Sequence, residues 1–283
     1  MRIIEHGRVI VMNTSRHDTH FAGHIPELYD RYLVPMLFAP CAGDIARRAA
    51  ALEPSRVLET AAGTGAVTRA LAHALPAHVD IVATDLNQAM LDRAAMTHIG
   101  RTVTWQQANA LQLPFDDASF DIVVCQFGAM FFPDKTAAFA QAHRVLRPGG
   151  ALLFNVWDRI EENEFADTIT AALGRLFPAD PPLFMKRTPH GYFDRDVIAR
   201  DLAAAGFDAK PRFDTVTQRS RASSADVVAI AYCQGTPLRN EIEARTGASL
   251  EEATSACAEA IAARFGSGPV AGKIQAHVIV VQR

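Results

Sequence analysis

Cysteine is scarce in this sequence, and its four copies stand far apart. Cys41, Cys125, Cys233 and Cys257 form no C-x-x-C, so neither a structural zinc site nor a disulfide-built scaffold is signalled, and no metal is expected. Lysine is rarer than arginine: only Lys135, Lys186, Lys210 and Lys273 are lysines among 28 basic residues. Against 31 acidic residues the formal net charge is −3. A protein built to grip a polyanion carries the opposite balance, so no nucleic-acid partner is expected. Long hydrophobic runs are missing too. The longest near-apolar stretch, 122–132, includes Gln126 and falls far short of the ~20 residues that span a bilayer. Arg2, Glu5 and Arg8 interrupt the apolar residues of the first twelve positions, which leaves no signal-peptide core. There is no internal repeat and no low-complexity tract. These absences predict a reducing, cytoplasmic setting without membrane insertion. What remains is 49% hydrophobic and 21% charged, the usage of an ordinary globular chain with a sizeable core.

The first half alternates short β-like runs with helical periodicity. Strands are predicted at 56–59, 79–84, 103–106, 120–125 and 151–156. Helices are predicted at 67–75, 88–95 and 136–146, the last stopped by Pro148-Gly149-Gly150. Strand, turn and helix repeated in this way predict an α/β fold with a parallel sheet and helices on both faces. After Trp157 helical patterns dominate, at 161–177, 196–205, 224–232 and 250–265, with strand candidates at 213–217 and 277–281. The organisation expected is a flexible extension over 1–20, with Met12 a candidate start, and a single domain over 21–283. That domain divides into a core at 40–157 and lid or substrate-cap segments near 158–193 and 220–272. The alternative reading of those segments is plain helical elaboration.

The strongest local signal is Val57-Leu58-Glu59-Thr60-Ala61-Ala62-Gly63-Thr64-Gly65, a strand ending in a carboxylate and a small-residue loop opening a helix. Gly63 and Gly65 lack a Cβ and so allow a ligand close to the backbone, at the carboxyl end of a strand where open α/β sheets bind ligands. Asp85 closes the second β run, 20 residues after Gly65. That position suits an acid accepting from a ribose diol, or equally a helix N-cap. A dinucleotide loop would place Gly or Ala where Thr68 stands, and a P-loop would need a lysine that is absent. Glu59 would repel a pyrophosphate and attract a cationic ligand. S-adenosylmethionine, with an ammonium, a sulfonium and no phosphate, fits that charge logic.

Five blocks in order carry a resemblance. They are 57–65, then Ala83-Thr84-Asp85-Leu86-Asn87, then 107–115 beginning Gln107-Ala108-Asn109-Ala110, then 120–127 ending Cys125-Gln126-Phe127, and Arg144-Val145-Leu146-Arg147-Pro148-Gly149-Gly150. Together they resemble the core of class I S-adenosylmethionine-dependent methyltransferases, close to the branch with the ubiquinone and menaquinone C-methyltransferases. The resemblance implies a Rossmann-like, mostly parallel seven-stranded sheet with a helical lid. It implies that Glu59, Ala61, Gly63 and Gly65 hold the methionine end and that Asp85 takes the ribose. Leu86, Asn109 and Ala110 would meet the adenine, and Gln126 would lie near the methyl group. The family often has Gly where Ala61 stands and Asp where Asn109 stands, which predicts weaker cofactor binding. Residues 21–33 resemble the N-terminal helix that closes over the cofactor in this branch. There Tyr29 and Tyr32, three apart, would share a face.

The acceptor is expected to be a small organic molecule, methylated on carbon, oxygen or nitrogen by in-line displacement. Phe127 and Phe131, with Tyr29 and Tyr32, are candidate pocket residues. His190 and Tyr192, in the presumed lid, are the candidate bases. The alternatives are a catalytically inactive protein that binds S-adenosylmethionine or S-adenosylhomocysteine, or an RNA or protein methyltransferase. The latter would need a basic docking surface or an added module that the sequence does not display. Monomer and homodimer both remain open.

Overall fold

The computed structural model describes the backbone of Arg2–Glu5 and Arg8–Val11, residues Asp18 and Gly23, and the continuous stretch 25–283. The first two strands, β1 (Arg2–Glu5) and β2 (Arg8–Val11), pair antiparallel. The flexible extension expected over 1–20 otherwise lies outside the described residues, apart from Asp18. Helical chain follows as α1 (Ile25–Leu28), a π-helix (Tyr29–Phe38) that contains Pro35, and α2 (Ala39–Ala50).

The predicted strand–helix rhythm is realised as β3 (Arg56–Glu59), α3 (Ala66–Ala74), β4 (Asp80–Asp85), α4 (Gln88–Ala95), β5 (Thr104–Gln107), β6 (Phe120–Gln126), α5 (Lys135–Val145) and β7 (Leu146–Trp157). Next come α6 (Glu164–Leu176), α7 (Phe184–Arg187), α8 (Arg195–Ala204), β8 (Arg212–Ala222), α9 (Ala225–Gln234), α10 (Leu238–Glu243), α11 (Leu250–Phe265) and β9 (Val270–Gln282). One seven-stranded sheet has the order β5-β4-β3-β6-β7-β9-β8. The pairs from β5 to β7 are parallel, and β9 runs antiparallel to both neighbours.

Period-two alternation divides the core between the two faces of this sheet. Val57, Ile81, Ile122, Val124 and Leu153 pack with α2 and α3 on one side. Leu58, Val82, Val123, Cys125 and Phe154 pack on the other, with α5, α6, α9 and α11. Every one of these side chains is nearly or fully buried, at about 1.5–3 kcal/mol for each large one. The chain runs outward from β3 to β4 and β5, then returns to β6 on the other side of β3. Their carboxyl ends therefore open a crevice at a topological switch point.

One expectation needs correcting. The presumed cap over 220–272 loses both ends to a ribbon. Strands β8 and β9 pair from Arg212↔Val280 to Ala222↔Val270, while β9 reaches β7 only as far as Trp157↔Ala276. The rest of the ribbon is two-stranded, so polar Lys273 and Gln275 alternate with Ile274 and Ala276 and leave no apolar run to read. Helices α7 and α10, each under two turns, escaped the periodicity reading because a stripe needs more length to register.

The cap is clasped by charge. Arg187 of α7 donates to both oxygens of Asp18, at 2.6 and 3.2 Å, and to Glu241 of α10 at 2.6 Å. Thr188 donates to Asp18 at 2.5 Å, and Glu241 in turn accepts from the Leu183 and Phe184 N–H groups that open α7. Asp18 is fully buried. Replacing Arg187 by Met withdraws its guanidinium from that buried carboxylate and from Glu241, and we expect a loss of about 3 kcal/mol. The thermal midpoint should then fall by roughly 5–10 °C, read by differential scanning calorimetry.

Candidate active site

Strand β3 ends at Glu59, and the loop to α3 turns on three left-handed residues, Ala61 (φ 53°), Gly63 (φ 56°) and Gly65 (φ 81°). The loop is tied into the sheet: Thr60 N–H donates to Val124 O at 2.9 Å and Ala62 N–H to Thr84 O at 2.9 Å. Ala61 carries a Cβ where the left-handed region favours glycine. The place is crowded from the β6 side as well. A Cβ on Gly128 would lie 2.5 Å from the Ala61 Cβ and 2.8 Å from Cys125 Sγ. Phe127, also left-handed (φ 51°), is held there by a hydrogen bond from its N–H to Asn155 Oδ1 (2.9 Å) and by stacking on Trp157, ring centroids 3.7 Å apart. Backbone strain of this kind persists where surrounding structure over-determines it and gathers at functional sites.

A cleft of about 810 Å³ opens along the carboxyl ends of β3, β4 and β6. Of the residues the sequence proposed for the cofactor, Ala61, Gly63, Asp85, Leu86, Asn109, Ala110 and Gln126 line it. Asp85 holds the loop with its own carboxylate: Oδ2 accepts from Gly63 N–H and Oδ1 from Asn87 N–H, each at 2.8 Å. The N-cap of α4 is Asn87 and not Asp85, so the capping role foreseen for Asp85 is not realised, and Oδ2 keeps a lone pair for a ligand. Burial pushes its carboxyl above the ordinary range, although those N–H groups pull the other way. Leu86 is 48% exposed, an apolar side chain left open on the cleft wall. Asn109 spends Oδ1 on Leu111 N–H at 3.0 Å, closing its own turn. Sequence reasoning missed Met90 and Gly128 on the same wall. Only Gly128 carried a sequence signal, a glycine just past a strand end.

Glu59 lies beside the cleft, in a smaller cavity of about 280 Å³ shared with Tyr29, Phe38, Ala61, Thr64 and Gln126. It is fully buried and accepts from Thr68 Oγ1 at 2.6 Å. Burial, opposed by that hydroxyl and reinforced by Asp85, lifts its carboxyl to about 8. Two buried carboxylates face this end of the site. Among the described residues lining the cleft and the cavity there is no Lys or Arg.

Four proposed residues sit elsewhere. Gly65 faces Trp105 and Ala94, which a Cβ would meet at 3.0 and 3.2 Å. Its freedom therefore serves helix–sheet contact and the start of α3, not a ligand. Tyr32 is absent from the cleft and cavities and carries the Arg31 guanidinium 5.1 Å from its ring. The cause is the helix: π-winding advances about 4.4 residues per turn, so positions three apart diverge. Tyr29, Leu33, Leu37 and Phe38 share the face instead, all on one cavity wall. His190 hydrogen-bonds the Asp158 carbonyl through Nδ1 at 2.8 Å, and burial lowers it to about 4. Tyr192 donates to Asp201 at 2.7 Å, with Lys135 over its ring. Neither reaches the cleft.

Beyond Tyr29, Phe127 and Phe131 lies a second cavity of about 500 Å³, walled further by Phe38, Trp157, Phe184 and Tyr232. Phe127 and Phe131 line both it and the cleft, as expected of pocket residues. Tyr29 lines all three spaces and stacks on Phe38 at 4.9 Å. Its neighbour Asp30 binds Arg93 of α4 at 3.0 Å and Arg69 of α3 at 3.7 Å, which pins the π-helix across the loop.

Residues 58–154 match the family model described as a methyltransferase domain. This stretch resembles a methyltransferase domain. The chain is 42% identical over 114 residues to a demethylmenaquinone methyltransferase of Deinococcus radiodurans, covering 38% of this chain and 47% of that one. It is 30% identical over 172 residues to the ubiquinone/menaquinone biosynthesis C-methyltransferase UbiE of Shewanella oneidensis, covering 54% and 66%. The chain thus spans about half to two thirds of the length of these curated relatives. The solved YcgJ protein of Bacillus subtilis shares the fold, with a TM-score of 0.53 at 18% identity over 86% of this chain and 99% of that one. The matched segment holds β3, β4 and β6 and their loops, and the walls of the second cavity contributed by α7 and α9 lie outside it. The methyl donor this family implies is S-adenosyl-L-methionine. The residues present fit that group. The carboxylates of Glu59 and Asp85 suit its cationic end and its diol, Leu86 offers an apolar face, and Thr64 Oγ1, buried beside Glu59, has no hydrogen-bond partner among the described residues.

Proposed function

We propose that the chain transfers a methyl group from S-adenosyl-L-methionine to a small, flat, largely apolar organic acceptor. The observation that carries this reading is a cation-free cleft ending on two buried carboxylates and joined through Tyr29, Phe127 and Phe131 to an aromatic cavity. A phosphate-bearing cofactor would find no basic side chain there, and its charge would oppose ionisation of both carboxyls. When bound, the donor supplies a methyl carbon made electrophilic by its sulfonium. Asp85 and the Gly63 backbone orient the ribose, Leu86 lies on the adenine, and Glu59 neutralises the ammonium. Tyr29, Phe38 and Gln126 fill the space where the cleft and both cavities meet and keep water from it. Gln126 is itself fixed, donating to Phe38 O at 3.2 Å and accepting from Asn155 Nδ2 at 3.3 Å. Effective alignment of this kind is what a displacement with an activated donor asks of a protein.

Among the described residues lining the cleft and the aromatic cavity there is no His, Lys or Cys. The reading is therefore of an acceptor that reacts without proton removal by such a side chain, in a cytoplasmic setting. No helix among the described residues is long and apolar enough to cross a membrane.

Calorimetric titration with S-adenosylmethionine, S-adenosylhomocysteine and NADPH tests the donor site. We expect micromolar binding of the first two, weakened at least tenfold by Asp85→Asn, since a hydrogen bond to a charged group contributes about 1.5–3 kcal/mol. Methyl uptake by phenols, quinones and amines then tests the acceptor class. Binding of NADPH alone, or of none of the three, would overturn the reading.

A further inference from the structure

The aromatic cavity has a wall of unusual uniformity. Among the described residues lining it none is charged, and Tyr29, Phe38, Phe127, Phe131, Trp157 and Phe184 present rings. Phe38 lies 6.3 Å from Trp157 and Phe131 lies 6.3 Å from Phe184, centroid to centroid, both pairs tilted. Such a wall takes up a planar apolar body but does not by itself choose between rings of similar size.

Tyr232 of α9 also lines this cavity, and its hydroxyl is unusual. The hydrogen bond from Thr236 Oγ1, at 2.7 Å, ends on the Tyr232 carbonyl, not on the phenol. Thr236 Oγ1 is itself satisfied, because it also accepts from Leu238 N–H at 3.2 Å. No group among the described residues hydrogen-bonds Tyr232 Oη, and burial is the sole cause that holds the phenol above its ordinary range. The phenol therefore stays protonated, a donor. Nor is it one of the side-chain atoms sealed off without a partner, which are Thr64 Oγ1, Arg101 Nε, Thr170 Oγ1 and Asn240 Nδ2 among the described residues. Tyr232 is a buried side chain, and the open space it borders is this cavity. A hydroxyl withdrawn from water without a partner is costly. The cavity is where a partner can enter.

We propose that Tyr232 is a specificity-determining residue of the acceptor site, donating a hydrogen bond to a ring-borne oxygen of the acceptor and so separating oxygenated rings from plain hydrocarbon rings of the same shape. This rests on the aromatic cavity being the acceptor site of the function proposed above. A site built around a hydrogen bond rejects an analogue lacking it more sharply than an apolar wall rejects a change of size.

Equilibrium dialysis of the full chain, saturated with S-adenosylhomocysteine, against 1-naphthol and naphthalene tests it. We expect the unaltered protein to hold 1-naphthol about tenfold more tightly than naphthalene, the effect of one neutral hydrogen bond. Tyr232→Phe should remove that preference while leaving naphthalene affinity unchanged and the thermal midpoint no lower, which a role in shaping the wall would not do. A preference that survives Tyr232→Phe, or an equal loss for both rings, overturns the assignment. Failure of the S-adenosylhomocysteine-loaded protein to bind either ring overturns it too and leaves the donor site standing. Failure to bind S-adenosylhomocysteine at all overturns the reading on which it rests.

Discussion

Glu59→Gln stabilises the unliganded protein and weakens S-adenosylhomocysteine binding at least tenfold. Both effects have one origin. The Glu59 carboxyl is fully buried beside Asp85, and its affinity for a proton is raised to about 8. The unfolded chain releases that proton near the ordinary carboxylate value. Between those two pH values the native state binds a proton that the unfolded state does not, so stability falls as pH rises through that window. Glutamine keeps the hydrogen bond that Thr68 Oγ1 donates at 2.6 Å and has no proton to lose. The variant should therefore show a flatter stability profile between about pH 5 and 8 and a higher midpoint at pH 8, read by urea unfolding across pH.

Binding moves the other way. An ammonium beside Glu59 favours the ionised carboxylate, so ligand binding expels the proton below pH 8. The apparent affinity should rise from pH 6 to 8, and the calorimetric enthalpy should depend on the ionisation enthalpy of the buffer. Glutamine removes the charge-assisted contact, about 1.5–3 kcal/mol, and with it both the pH dependence and the buffer dependence. An unaltered affinity in Glu59→Gln would place the cationic end of the ligand elsewhere.

Gly128→Ala is the second large effect. The new Cβ would lie 2.5 Å from the Ala61 Cβ. That atom is fixed to the backbone of a loop already held left-handed at φ 53°, so it cannot swing away. The second contact, 2.8 Å to Cys125 Sγ, involves a side chain that is itself buried. Overpacking of this kind costs about 1–3 kcal/mol, and here the displaced element is the loop that lines the cofactor cleft. We expect lower stability together with a loss of S-adenosylhomocysteine affinity. The double variant Ala61→Gly/Gly128→Ala removes the clashing Cβ and relieves the left-handed alanine. It should recover most of both losses, giving a strongly non-additive cycle. Additive effects would mean that the two positions do not meet.

Much of this was legible in the residues. The unbroken apolar runs at 57–58, 81–82 and 122–125 are the physical consequence of strands buried on both faces, and they marked the centre of the sheet. The small-residue loop after Glu59 and the acid at 85 follow from what the end of a parallel strand requires when a ligand must approach its backbone. The five blocks added the seven-stranded, Rossmann-like arrangement and the donor. These features are local, or repeat locally, so they survive in one dimension.

Only the tertiary structure decided who meets whom. Tyr29 and Tyr32 parted because the helix that carries them is π-wound, a choice that spacing alone does not reveal. Gly65, adjacent to the loop in sequence, turned toward Trp105 of a strand it does not pair with. His190 was withdrawn onto the Asp158 carbonyl, and Tyr192 onto Asp201, by the packing of cap against core. The long β8–β9 ribbon replaced both ends of a presumed lid because its outer half alternates polar residues in contact with a single partner strand. The aromatic cavity draws on the π-helix, on the strand ends of β6 and β7, and on α7 and α9. These elements lie up to two hundred residues apart, and nothing within any one of them announces the others. Sequence periodicity fixes the face that a side chain occupies on its own element, while the contacts that make a site are set by sheet order, helix winding and the length of the connections between them.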